Sequence, residues 1–272
     1  MNSTLDVNAI AQELVDAYEA GELIPQPLSS RPGFDLDTAY KVESELARRR
    51  RESGHIVVGR KIAFGNHAAL QKLNLETVAW GSMYDDTVQR ANDAGPTSVP
   101  FTYAPKLEPE IVFKLKSPVS GDPTDAVAVL RSVEWLSLGY EIVDCPFPEW
   151  QFKPQDLVAA FGFHAGLVLG APTAVTAANV QTLASQLGEF KLRLFKDDNF
   201  VEEGGGKNVF RNPALCLGEL AKAIREAPWA EPLRAGELIS TGSLTTPMLI
   251  APGEKWRAEP VGLDVAALEM KL

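Results

Sequence analysis

The chain has 272 residues, 45% of them hydrophobic and 23% charged, with a formal net charge of -10. That is enough ordinary globular sequence to bury a sizeable core, and it argues against wholesale disorder. The acidic balance argues against a nucleic-acid partner or a seat on an anionic membrane. Cys145 and Cys216 lack CxxC spacing, so neither a disulfide framework nor a zinc site is expected. Residues 1–6 carry no leader pattern, and the most apolar run, 157–171, is too short to cross a bilayer. A cytoplasmic protein with no membrane partner is the expectation.

Apolar spacing over 5–20 predicts a helix that Gly21 ends, and the Pro/Gly-rich stretch 24–33 a loop. Asp37 is expected to cap a second helix over about 38–53. That helix closes on Arg48, Arg49, Arg50 and Arg51, read as a solvated helix end, with a local anion or partner site as the alternative. The β-branched run 56–64 predicts a strand, and spacing alone reads its Lys61 as solvent-exposed. A short helix follows through 68–73. Asp85 and Asp86 then sit at a loop or strand start, where alternation lets at most one face a site.

After Pro96 and Pro100 the pattern becomes strand-rich. Glu108 and Glu110 stand two apart in the apolar run 106–113, so a strand points both to one face. They line either a solvated face or, with a cation between them, a metal site. Pro109 cannot donate to a ladder, which predicts an edge or a bulge there. Residues 124–137 are expected to be helical and 138–144 a strand, in which Glu141 is flanked on its own face by Gly139 and Val143. The small-residue stretch 159–166 reads as a loop before a strand, 189–201 as a hairpin and 213–226 as a helix opened by Pro213. Gly204–Gly206 with Lys207 lacks the spacing of a phosphate loop. Residues 238–245 predict a strand ending in a hydroxyl-rich turn, and 252–254 a turn before a final strand pair.

The ordered set Gly59-Arg60-Lys61-Ile62, Tyr84-Asp85-Asp86, Glu108-x-Glu110, Glu141-Ile142-Val143-Asp144, Asn212-Pro213, Ser240-Thr241-Gly242-Ser243-Leu244-Thr245 and Pro252-Gly253-Glu254 resembles the 2-keto-4-pentenoate hydratase and 4-oxalocrotonate decarboxylase group of the fumarylacetoacetate hydrolase superfamily. The resemblance spans roughly residues 5 to 265. It implies an α+β chain, with a helical segment 1–55 packed on a β-rich catalytic unit 56–272. It implies Mg²⁺ or Mn²⁺ held by Glu108, Glu110 and Glu141, a short 2-oxo or 2-hydroxydienoic acid as substrate, and a homo-oligomer. Where the family carries an Asp-Asn-(Ala/Gly)-Ser type run, this chain has Ala160-Phe161-Gly162-Phe163 followed by His164. Where the family has Gly-Leu-Thr-Ser after the lysine, it has Ala63-Phe64-Gly65-Asn66.

An all-oxygen donor set suits a hard divalent ion acting as a Lewis acid on a chelating 2-oxo acid. Lys61, Asp86 and His164 are the candidate catalytic groups. Asp85, Phe161, Phe163, Ser243 and Thr245 are the candidate substrate contacts. For His164 a packed loop histidine is the alternative, and for Ser243 and Thr245 a structural turn. Hydration of a 2-hydroxypenta-2,4-dienoate-like acid in aromatic catabolism is the leading expectation. Decarboxylation, C–C hydrolysis of an acylpyruvate-like acid, or a catalytically impaired partner subunit are the alternatives.

Overall fold

The structure, a computed structural model, describes residues 5–91, 97–99 and 102–272. Pro96 and Pro100 lie outside the described residues, and the strand-rich pattern expected after them begins at Lys106. The N-terminal segment supplies α1 (Val7–Ala20) and α2 (Leu36–Glu52). Asp6 caps α1, and Gly21 ends it in the left-handed region at φ 67°. Asp35, not the expected Asp37, caps α2. Its carboxylate accepts from the Thr38 N–H at 2.8 Å and the Thr38 hydroxyl at 2.6 Å, so the helix starts two residues early.

The strands are β1 (Val57–Ala63), β2 (Ala79–Tyr84), β3 (Val88–Arg90), β4 (Lys106–Leu115), β5 (Val133–Val143), β6 (His164–Leu169), β7 (Thr173–Ala174), β8 (Lys191–Lys196), β9 (Asn199–Gly205), β10 (Leu238–Ser240), β11 (Met248–Leu249), β12 (Lys255–Val261) and β13 (Leu268–Lys271). Between them lie α3 (His67–Leu73), α4 (Ala126–Leu130), α5 (Pro154–Ala159), α6 (Val180–Glu189) and α7 (Pro213–Glu226). The helix expected over 124–137 is confined to α4. From Val133 the chain instead joins the ladder opposite Leu115, so tertiary pairing overrides local propensity and β5 starts before residue 138.

Nine strands form a mixed sheet in the order β2-β1-β10-β4-β5-β6-β3, with β11 beside β4 and β7 beside β5. The order β13-β12-β8-β9 makes a second, antiparallel sheet. The chain is α+β. The large sheet curls until β2 lies against β6 and the chain just before it, without ladder pairing between β2 and β6. The turn from Tyr84 to Val88 carries the chain across this seam into β3, which pairs with β6.

Both faces of the central strands are buried, for different reasons. Leu107, Ile111 and Phe113 on β4 and Leu138, Tyr140 and Ile142 on β5 join the main hydrophobic core, together with α1, α2 and the later helices. The other face carries a separate small apolar cluster of Met83, Val112, Leu167, Leu169 and Leu238. Residues paired across a ladder share a face, so register fixes what lies beside this cluster. One row runs Lys61, Ser240, Val112, Ser137; another runs Glu108, Glu141, Leu167, Val88. The inside of the curl is therefore apolar in part and charged in part.

Candidate metal centre and its seam

Glu108 and Glu110 leave β4 on the inner face, and Glu141 on β5 stands directly opposite Glu108. One carboxylate oxygen from each lies within 4.8 Å of the others. Glu110 and Glu141 are fully buried and Glu108 is half-buried. Pro109 occupies neither an edge strand nor a bulge. Its carbonyl accepts from the Leu244 N–H at 2.8 Å, so its nitrogen faces the same side. There the chain is passing between β10 and β11, and no ladder donor is missing.

Glu110 Oε2 accepts from the Ser240 hydroxyl at 2.5 Å and from the Gly242 N–H at 2.8 Å. Glu141 Oε1 lies 3.0 Å from His164 Nδ1, and its Oε2 lies 3.4 Å from Lys61 Nζ. Glu110 Oε1 and Glu141 Oε2 are buried without a hydrogen bond among the described residues. A buried carboxylate without a compensating charge is destabilising by several kcal/mol, so three converging carboxylates facing the single Lys61 ammonium call for a further cation. Burial first, then repulsion from Glu141, pushes the Glu108 carboxyl up to about 7, while Lys61 pulls it back down. Burial and then the charges of Glu141 and Glu108 hold Glu110 well above the usual carboxylate range.

Lys61 is 3% exposed, which corrects the exposed lysine that spacing alone suggested. Its Nζ donates to the Gly162 carbonyl at 3.0 Å. Burial opposes the ammonium, but Glu141, Glu108 and Glu110 together outweigh it and keep its pKa above the ordinary lysine value.

The partition over this site is the turn 161–163, in which Phe161, Gly162 and Phe163 all adopt left-handed backbone at φ 54°, 63° and 57°. That region is unfavourable for an aromatic residue and natural for glycine. At Gly162 a Cβ would also meet the Lys61 Cδ at 3.1 Å and the Gly81 Cα at 3.2 Å. Phe161 reaches Tyr18 of α1, with ring centroids 5.8 Å apart. Phe163 is 2% exposed and packs among Phe147, Trp150 and Phe152. The structure thus places it as an anchor of the turn and not as a wall of the site.

His164 starts β6 in the seam. Its Nε2 lies 2.9 Å from the Thr87 hydroxyl, which also meets the Tyr84 carbonyl at 3.0 Å. With Nδ1–H donating to Glu141, Nε2 is free to accept from Thr87; with both nitrogens protonated, the ring donates at each end. Asp86 lies across the seam, where it pairs with Arg50. Asp85 accepts from the Ile56 N–H at 3.1 Å and sits near His55, away from the glutamates. The structure thus does not bring Asp85 and Asp86 into the carboxylate cluster. Ser243 Oγ is buried without a partner among the described residues, whereas the Thr245 hydroxyl donates to the Thr246 carbonyl at 3.3 Å.

Sequence reasoning missed Ser240, Thr87 and Arg50. Ser240 was readable in part, because it heads the hydroxyl-rich run beside the glutamate strand. Thr87 and Arg50 carry no local pattern that points to the seam.

A cavity of about 360 Å³ opens at the seam between α1, α2 and β2, with Phe161 and His164 in its wall. A cavity of about 510 Å³ on the outer side of the sheet, walled by Arg60, Trp80 and Trp229, contains none of the three glutamates.

The curled mixed sheet is a fold shared with solved structures such as the fumarylpyruvate hydrolase from Pseudomonas aeruginosa in complex with Mn²⁺ and pyruvate, at a TM-score of 0.54 and 12% identity over 78% of this chain. The chain aligns over 99% of its length with the structure of 4-oxalocrotonate decarboxylase from Pseudomonas putida G7 complexed with magnesium and adipate, at a TM-score of 0.82 and 23% identity. In sequence it is similar, over nearly its whole length, to curated 2-keto-4-pentenoate hydratases and 4-oxalocrotonate decarboxylases. It is 28% identical to the 4-oxalocrotonate decarboxylase of Pseudomonas sp. (strain CF600), over 97% of both chains. It is also 28% identical to the 2-keto-4-pentenoate hydratase of Paraburkholderia xenovorans (strain LB400), over 96% of this chain and 93% of that one. No protein-family model matches the chain.

Proposed function

We propose that the chain is a divalent-metal-dependent lyase that hydrates a short 2-hydroxydienoic acid, of the 2-hydroxypenta-2,4-dienoate kind, to a 4-hydroxy-2-oxo acid. The observation that carries this reading is the convergence of Glu108, Glu110 and Glu141, with one oxygen of Glu110 and one of Glu141 left without a hydrogen bond among the described residues. Three carboxylates and the Lys61 ammonium leave a formal charge of −2, which one divalent cation cancels. The all-oxygen donors suit Mg²⁺ or Mn²⁺. When bound, such an ion supplies Lewis-acid stabilisation of negative charge on the substrate's 2-oxygen.

The chain's own residues do the rest. Lys61, held by the Gly162 carbonyl, presents a buried positive charge to the substrate's carboxylate or 2-oxygen. Ser240 and the Gly242 N–H fix the Glu110 carboxylate in place. His164, wedged between Glu141 and Thr87, is placed to move a proton at its ring nitrogens. The Phe161 turn keeps bulk water from this chamber. In the net reaction a proton arrives at C5 on ketonisation, the oxygen of one water bonds to C4, and its proton ends on C3.

Relatives named as hydratases support water addition. Relatives named 4-oxalocrotonate decarboxylase, at the same 28% identity, support a second reading on the same site, loss of CO₂ from a related 2-oxo acid. The proposal includes a homo-oligomer in the cytoplasm, working in aromatic catabolism, with 1–55 as the helical cover of a catalytic unit 56–272. Among the described residues no helix is long and apolar enough to cross a membrane.

The test is turnover by the purified protein with Mg²⁺ or Mn²⁺. The expected result is loss of the dienoate absorbance of 2-hydroxypenta-2,4-dienoate with formation of 4-hydroxy-2-oxopentanoate. Release of CO₂ from 4-oxalocrotonate instead would select the second reading. Inertness toward both by a metal-loaded protein would reject both.

A further inference from the structure

The four arginines that end α2 do not share one fate. Arg48 pairs with Glu45 and Glu52, Arg49 with Glu45, and Arg50 with Asp86. The Arg51 side chain has no ion pair or hydrogen bond among the described residues, and it lines the cavity on the outer side of the sheet.

Strand alternation sets that cavity back to back with the glutamate chamber. β1 turns Lys61 inward and Arg60 outward, and its register with β2 puts Ser82 beside Arg60 and Trp80 beside Ile62 on the same outer face. Trp80 is 7% exposed. Its backbone N–H donates to the Tyr40 hydroxyl of α2 at 3.3 Å, and the two rings pack with centroids 4.8 Å apart. Trp229, in the loop after α7, stacks on Trp80 at an interplanar angle of 14° with centroids 5.6 Å apart, yet remains 51% exposed. Pro228 and Pro232 restrict the backbone on either side of it, and the Ala230 N–H closes a turn onto the Ala227 carbonyl at 2.9 Å. The half-open indole is thus a flat ledge that is in place before anything binds.

The charges beside this ledge have one net sign. Arg51, Arg60 and Arg234 stand against Glu43 and Glu231. Glu231 is paired with Arg234 at 3.3 Å. Glu43 accepts from the Ser82 hydroxyl at 2.6 Å; burial pushes its carboxyl above the ordinary range, while Ser82, Arg60 and Arg51 pull it back. Arg60 is 7% exposed and loosely held, with Glu237 at 3.3 Å and the Pro232 carbonyl at 3.4 Å, and its Nη1 is buried without a partner among the described residues. A buried guanidinium so incompletely satisfied favours an anion nearby, and Arg51 supplies an accessible fork for one.

We propose that the outer cavity is a second binding site, separate from the glutamate chamber, for a single-ring aromatic carboxylate. The ring lies on Trp229, and the carboxylate takes the Arg51 fork with the Arg60 charge behind it. A planar ring gains both apolar contact and offset stacking on the exposed indole, and the fork matches a carboxylate through two parallel hydrogen bonds. The volume of about 510 Å³ is that of a small-molecule pocket. None of these residues takes part in the proposed lyase chemistry, so the inference stands or falls apart from it.

The test is calorimetric titration of the Mn²⁺-loaded full chain with benzoate, with tryptophan fluorescence followed in parallel. Benzoate is expected to bind with a Kd of about 1 mM or tighter. Cyclohexanecarboxylate, which lacks the flat ring, should bind about fivefold more weakly, and benzamide, which lacks the charge, at least about tenfold more weakly. Arg51→Gln and Trp229→Ala should each weaken benzoate at least about tenfold, and Trp229→Phe should keep most of the affinity. Glu141→Gln should leave benzoate binding unchanged, which separates this site from carboxylate binding at the ion. Circular dichroism checks that each variant is folded. No benzoate binding up to about 10 mM overturns the proposal. So does binding that Arg51→Gln leaves intact, or that Glu141→Gln abolishes. Tighter binding of adenosine monophosphate with the same dependence on Arg51 and Trp229 also overturns it, in favour of a nucleotide site.

Discussion

The inner face of β4 and β5 and the seam between β2 and β6 differ in what holds them. The glutamates are set by ladder register: Glu108 faces Glu141 because the strands pair along their length, and Glu110 follows two residues on. The seam has no ladder. It is closed by a left-handed turn, a histidine and the 84–87 turn, each held by a few side-chain contacts. The glutamate trio, the proposed metal platform, is therefore the part of the molecule that tolerates little change. On the proposed function, the seam is the part in which reaction and substrate can vary on the same fold, which agrees with relatives named as hydratases and as decarboxylases.

The largest expected separation of the two regions comes from Lys61, which touches both. Lys61→Met removes the cation that competes with a metal and also the charge offered to the substrate. It should tighten Mn²⁺ binding while lowering kcat by about 10²–10³, read by calorimetry and steady-state kinetics on one preparation. Weakened metal binding would mean that Lys61 supports the glutamates and does not rival the ion.

Next comes Gly162→Val. A branched side chain at φ 63° is strained, and its Cβ would press on Lys61 and Gly81. A loss of about 2–4 kcal/mol in denaturant unfolding is expected, with Mn²⁺ affinity nearly retained. Metal affinity falling in step with stability would erase the distinction between platform and seam.

The raised carboxyls give a pH signature of intermediate size. Because the folded value for Glu108 is about 7, above its ordinary 4.5, its contribution to stability is full below about 4.5 and lost as pH rises through 7. An ion that favours the ionised form reverses that loss. The increase in Tm from one fixed Mg²⁺ concentration, about a hundredfold above the Kd at pH 8, should grow from near zero at pH 5 to roughly 5 °C at pH 8. A shift independent of pH would disconnect the ion from these glutamates.

The smallest effect is expected at Pro109. Its nitrogen faces a gap in the sheet, so Pro109→Ala should change unfolding free energy by no more than about 1 kcal/mol. A larger loss would show that the ring itself orients the flanking glutamates.

The same contrast explains what could be read without coordinates. Period-two spacing put Glu108 and Glu110 on one face, and the apolar run around Glu141 marked a second buried strand. Both signals are local and survive folding. The depth of Lys61 was not legible, since its burial depends on Gly162 arriving from a hundred residues away. The extent of β5 was missed because pairing with β4 overrode the helical pattern of 131–137. Arg50 was hidden in a run of four arginines whose side chains go to different partners.

Calorimetric titration of the metal-free protein with Mn²⁺ at pH 8, for the wild type and for Glu141→Gln, tests the central claim most directly. The account predicts one ion per chain in the wild type and at least about 100-fold weaker binding in the variant, which should keep its fold by circular dichroism. A Glu141→Gln protein that binds Mn²⁺ at wild-type affinity would contradict it.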